Sequence, residues 1–79
     1  MSYHSGMKKY PEFGPVLRRL RLERVLSQEE LAERAGMASH AHISRLESGR
    51  KQPTLEMLFR LAAALEVEAW KIVKEMKER

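Results

Sequence analysis

Two adjacent segments decide the fold: LSQEELAERAG, residues 26–36, and HAHISRLESG, residues 40–49. Ser27-Gln28-Glu29-Glu30 has the form of a capping box, in which a hydroxyl takes the third helical amide and a carboxylate reaches back. Leu31, Ala32 and Ala35 then recur on one helical face, so a short helix runs from about Gln28 to Ala35. Gly36 is its stop. After Gly36-Met37-Ala38-Ser39, Ser39 stands where it can cap a third helix from His40 to about Ser48. Ile43, Leu46 and Glu47 share that helix's inner face, and Gly49 ends it. Ser44-Arg45-Leu46-Glu47 also fits the capping-box form, but it lies inside the apolar period and is accidental.

Upstream, Gly14-Pro15 opens a first helix, because proline suits the first turn. Phe13, Leu17 and Leu20 keep helical spacing, and the helix runs to about Val25. Downstream, Arg50-Lys51-Gln52-Pro53 is a basic loop. Thr54 caps a fourth helix with Leu55, Leu58, Leu61, Ala62 and Leu65 inside. After Glu66-Val67 a fifth helix, about 68–77, carries Ala69, Ile72, Val73 and Met76 on one stripe. Residues 1–12, MSYHSGMKKYPE, show no period and read as a flexible tail. The domain therefore spans 13–79. No strand signal or repeat occurs, so the fold class is all-α.

Length and composition bound the function. Seventy-nine residues hold one small core and no separate catalytic or sensor domain. At 43% hydrophobic and 33% charged, the chain is too apolar to be disordered. The absence of cysteine excludes disulfides, thiolate metal sites and cysteine nucleophiles. The longest apolar run, Leu61–Leu65, is far too short to span a membrane, and no secretory pattern opens the chain. Residues 1–53 carry ten basic and six acidic side chains, while the remainder is balanced. An anionic partner is thus expected against the first two thirds, nucleic acid being the commonest. Charge by itself equally suits a domain that only needs solubility.

Two short helices joined by a glycine-containing turn make a helix-turn-helix unit. LSQEELAERAG together with HISRLESGRKQPTLEMLFRLAAALEV closely resembles the Xre/Cro-type helix-turn-helix family, the DNA-binding domain of phage repressors. The resemblance covers about Phe13 to Val67. It implies a five-helix, lambda-repressor-like domain that binds duplex DNA sequence-specifically, usually as a homodimer on a near-palindromic operator. Compact members without a sensor domain include Cro proteins, restriction-modification controller proteins and some antitoxins. Two features depart from the family pattern. The Met37-Ala38 region holds one extra residue, and Val25 stands where glycine is frequent. Valine resists left-handed backbone angles, so the first helix is expected to end by another route.

The resemblance also assigns roles. Gln28 matches a residue that binds a DNA phosphate and braces the recognition helix, and an amide beside free helix amides suits a phosphate oxygen. At 100° per residue, Ala41, Ser44, Arg45 and Ser48 point away from the Ile43–Leu46 side, with His40 at their flank. Small residues around one long arginine suit a major groove, which gives His40, Ala41, Ser44 and Arg45 as base contacts. Phosphate contacts are expected from Gln28, Ser39, Ser48, Arg50, Lys51 and Gln52, the family loop lying along the DNA with exposed amides. Lys8 and Lys9 could follow a groove. Arg21 and Glu47 match positions that often form an ion pair. Trp70 lies off the apolar stripe of the fifth helix, as Phe59 and Leu22 lie off theirs. Trp70 and Val73 are accordingly expected at a dimer surface.

Other classes fare worse. His40 and His42 diverge by about 160° on a helix and cannot share one ion, so no metal is expected. No catalytic triad, carboxylate pair or phosphate-binding glycine loop occurs, and neither an enzyme, a cofactor nor a small-molecule ligand is expected. The alternative is an antitoxin-like module whose main partner is another protein. The expected setting is cytoplasmic, prokaryotic or phage-type.

Overall fold

The structure, a computed structural model, describes residues 12–76. The expected tail lies outside the described residues except for Glu12, and so do Lys8, Lys9 and the last three residues. Among the described residues there are five α-helices and no strand: α1 (Phe13–Glu23), α2 (Gln28–Arg34), α3 (His40–Ser48), α4 (Leu55–Leu65) and α5 (Ala69–Glu75).

The helix starts follow from local chemistry. At α2, the Glu30 amide donates to the Ser27 hydroxyl at 3.0 Å and the Ser27 amide donates to the Glu30 carboxylate at 2.8 Å. At α4, the Met57 amide donates to the Thr54 hydroxyl at 3.1 Å. Pro15 falls in the first turn of α1, where its missing N–H has no helical acceptor in any case. Ser39 does occupy the cap position of α3 with extended backbone, but its side chain makes no capping bond.

Four helices end on a left-handed residue: Val25 (φ 57), Gly36 (φ 72), Gly49 (φ 82) and Glu66 (φ 59). Val25 contradicts the expectation that valine would force another ending. The Val25 amide donates to the Leu22 carbonyl at 2.9 Å and the Leu26 amide to the Arg21 carbonyl at 3.1 Å. Those two bonds make a Schellman ending. Leu26 is buried beyond it, and Arg21 Nη1 donates to the Leu26 carbonyl at 2.8 Å. The contacts made by Leu26, just past Val25, thus override its local preference.

The core joins all five helices through Phe13, Leu17, Leu31, Ile43, Leu46, Leu61, Leu65 and Ile72, each almost fully buried. Each such side chain contributes roughly 1.5–3 kcal/mol of burial. α3 packs against both α1 and α2, while α5 packs against α1 and α4. Two apolar positions fall elsewhere than spacing suggested. Leu55 is 68% exposed because the first turn of α4 projects past the core, and Val73 is 49% exposed beside the buried Ile72.

Candidate nucleic-acid interface

α3 is anchored on its inner face by Ile43 and Leu46. At its C-terminal end α1 comes unusually close. A Cβ on Gly14 would lie 2.3 Å from the Glu47 carbonyl oxygen and 2.8 Å from that of Leu46. Only a residue without a side chain lets the two backbones approach so closely.

The side chain of Glu47 completes the clamp. Arg21 Nε donates to one carboxylate oxygen at 2.6 Å and Arg21 Nη2 to the other at 3.1 Å. Gln28 Nε2 also donates to Glu47 at 3.1 Å. The ion pair expected from the resemblance is therefore present, and both side chains are nearly buried, at 10% and 7% exposure. The bonds from Glu47 raise the Arg21 pKa; burial opposes this, and the Coulomb attraction of Glu47 adds to it. Gln28 braces α2 to α3 through the same carboxylate. The three side chains tie α1, α2 and α3 into one unit.

With Glu47 neutralised inside, the outer face of α3 is left cationic. His40, Ser44, Arg45 and Ser48 are exposed, and Ala41 is half-buried. Arg19, Arg24 and Arg60 are held by Glu23 and Glu75, by Glu66 and by Glu56. Arg45, Arg50 and Lys51 meet no carboxylate among the described residues.

The loop after α3 is turned back on the helix. The Arg50 and Lys51 amides donate to the Arg45 carbonyl at 3.0 and 3.2 Å, and the Ser48 hydroxyl donates to it at 3.2 Å. These two amides are not the exposed donors that the resemblance implied. Their side chains are what the loop offers: Arg50 and Gln52 are exposed, and Lys51 is half-buried. Ser39 stands at the other end of α3, in a hollow it shares with Glu29, Glu30, Glu33 and His40. Three carboxylates there oppose an incoming phosphate. The hydrogen bond that holds Lys51 to His42, with Nζ 3.4 Å from Nε2, had no signal in the sequence. No group of three potential metal-ligating side chains occurs among the described residues. None of their helices is long and apolar enough to cross a membrane.

A second surface is apolar. Leu55, Phe59, Trp70 and Val73 are all about half exposed or more, and they line one groove between α4 and α5. The Lys71 and Lys74 ammonium groups lie 5.9 and 6.0 Å from the Trp70 ring centroid.

Comparison with known proteins gives a consistent picture. The family model described as Helix-turn-helix matches residues 17–69. An uncharacterised HTH-type transcriptional regulator of Sinorhizobium fredii, y4dJ, is 42% identical over 65 residues, covering 82% of this chain and 83% of that one. Among solved structures, the restriction-modification controller protein C.AhdI of Aeromonas hydrophila is 33% identical, with a TM-score of 0.75 over 80% of this chain and 94% of its own. The N-terminal DNA-binding domain of SinR from Bacillus subtilis is 29% identical, with a TM-score of 0.74 over 81% and 93%.

Proposed function

Because the chain belongs to the helix-turn-helix family of transcriptional regulators, which are not enzymes, we propose that it is a homodimeric repressor or activator reading a near-palindromic operator. α3 enters the major groove, with Arg45 as the principal base-reading side chain and His40, Ala41 and Ser44 beside it. Gln28, Ser48, Arg50, Lys51 and Gln52 face phosphates. Ser39 is the weakest member of that set, given its carboxylate neighbours. The observation that carries this reading is that Arg45, Arg50 and Lys51, on and just after a helix locked to its scaffold, meet no carboxylate among the described residues. Cations whose charge no carboxylate cancels, on a rigid mount, can displace the counterions of a duplex.

One such helix reads only a few base pairs, so useful affinity calls for two. The exposed groove of Leu55, Phe59, Trp70 and Val73 is the surface on which a second copy would pair. Two-fold pairing would set the recognition helices about 34 Å apart on one face of the duplex. The setting is the cytoplasm of a prokaryote, or of a cell carrying a phage. Selection from random oligonucleotides tests the whole reading. The expected product is an inverted repeat with half-site centres about one helical turn apart. Recovery of no preferred sequence would overturn it. A strict monomer on DNA, or a stable complex with a different protein through the apolar groove, would overturn the homodimer.

A further inference from the structure

His42 lies on the flank of α3 between the buried Leu46 and the exposed Arg45. Its Nε2 is 3.4 Å from Lys51 Nζ. An ammonium has only donors, so a bond here requires Nε2 to accept and places the ring proton on Nδ1. That Nδ1 is buried and has no hydrogen-bond partner. A buried polar atom without a partner opposes folding and asks for an explanation. An aliphatic side chain would fill the same flank without that cost.

Lys51 is consequently fixed at two points. Its amide is bound to the Arg45 carbonyl at 3.2 Å and its ammonium to His42. A surface lysine ordinarily keeps most of its rotamer freedom and loses it only on binding. The partner is also uncharged. A carboxylate at the same place would hold Lys51 but cancel its charge, as Glu66 does for Arg24. An imidazole holds the ammonium, leaves its charge intact, and leaves two of its three N–H donors free.

We propose that His42 is a positioning residue for DNA-backbone binding: its neutral imidazole pre-orders the Lys51 ammonium for a phosphate without neutralising it. The proposal rests on the reading that Lys51 contacts phosphate. It needs no knowledge of the operator, because a phosphate contact is independent of sequence.

The test uses the full chain and a labelled duplex of random sequence, with affinity measured across a range of salt. Lys51→Ala should weaken binding and lower the slope of log K against log salt by about one. His42→Leu should weaken binding roughly two- to ten-fold, the scale of ordering one long side chain. In the Lys51→Ala background it should cost nothing further, because the group it positions is gone. His42→Gln, whose amide oxygen can accept from Lys51, should restore most of the loss. An equal loss from His42→Leu with and without Lys51 would overturn the positioning role while leaving the phosphate contact standing. No effect of Lys51→Ala on affinity or slope would overturn the phosphate reading and the proposal with it. A measurement on the unaltered protein is independent of folding defects: the ring nitrogen shifts of His42 should show a protonated Nδ1 and a bare Nε2. The opposite tautomer would overturn the proposal.

Discussion

At the scale of single residues, Glu47 has the largest consequence. It accepts from both Arg21 and Gln28, and its removal would leave a nearly buried guanidinium without its counter-charge. Glu47→Ala should therefore cost roughly 3–5 kcal/mol of stability. Glu66, whose bond to Arg24 is exposed, should lose about 1 kcal/mol or less on the same substitution. Denaturant melts of the two variants check this, and equal midpoints would show that the internal pair contributes no more than the surface one. Gly14→Ala forces a methyl into the Glu47 carbonyl, so α1 and α3 must separate. A loss of about 1–3 kcal/mol is expected from overpacking, together with weaker DNA binding as α3 tilts. Arg45 is the residue whose loss should change specificity. Its guanidinium can donate in parallel to guanine O6 and N7. Arg45→Ala should cost about 1–3 kcal/mol on the preferred site and relax one base pair per half-site. Repeating the oligonucleotide selection with this variant would reveal an unchanged preference if α3 were placed wrongly.

At the scale of helices, the endings carry the testable chemistry. Val25 sits at φ 57 and is 86% exposed, so its side chain gains little packing in return for a strained backbone. A left-handed L-residue costs roughly 1–2 kcal/mol, and glycine returns part of that through its freer unfolded chain. Val25→Gly should thus stabilise the domain by about 1 kcal/mol, which calorimetry would register as several degrees in Tm. At the start of α2, bonds from the Ser27 amide and then the Ser27 hydroxyl, with Arg34 adding to them, hold the Glu30 carboxyl below its usual pKa. A folded pKa below the unfolded one gives stability at neutral pH that is lost as pH falls through the lowered value. The deficit of Glu30→Ala against the unaltered protein should therefore shrink in acid. A pH-independent difference would show that the carboxylate's charge is not what caps the helix.

At the scale of the molecule, the two surfaces separate by chemistry. The cationic face around α3 is the surface proposed for DNA and the apolar groove of α4 and α5 the one proposed for a second copy, so the two activities should be separable by substitution. Trp70→Ala should weaken self-association measured by sedimentation while leaving the fold intact, since Trp70 is 57% exposed and not a core residue. Unchanged self-association would remove Trp70 from the interface.

What the sequence determined by itself is local in origin. Capping residues at Ser27 and Thr54, glycine stops at Gly36 and Gly49, and the apolar period place the five helices to within about two residues. These signals are legible because each depends on neighbours a few positions away. The Arg21–Glu47 pair was legible only through family resemblance, because no spacing rule links residues in different helices. The tertiary structure alone decided the rest. It put Leu55 outside the core, because the face a helix buries depends on where the helix docks. It forced Val25 into a left-handed turn, because burying Leu26 and satisfying its carbonyl outweigh one residue's preference. It brought Gly14 against the Glu47 carbonyl and Lys51 against His42, contacts between positions with no periodic relation. Local propensity acts over one helical turn, whereas these contacts exist only once several helices have packed together.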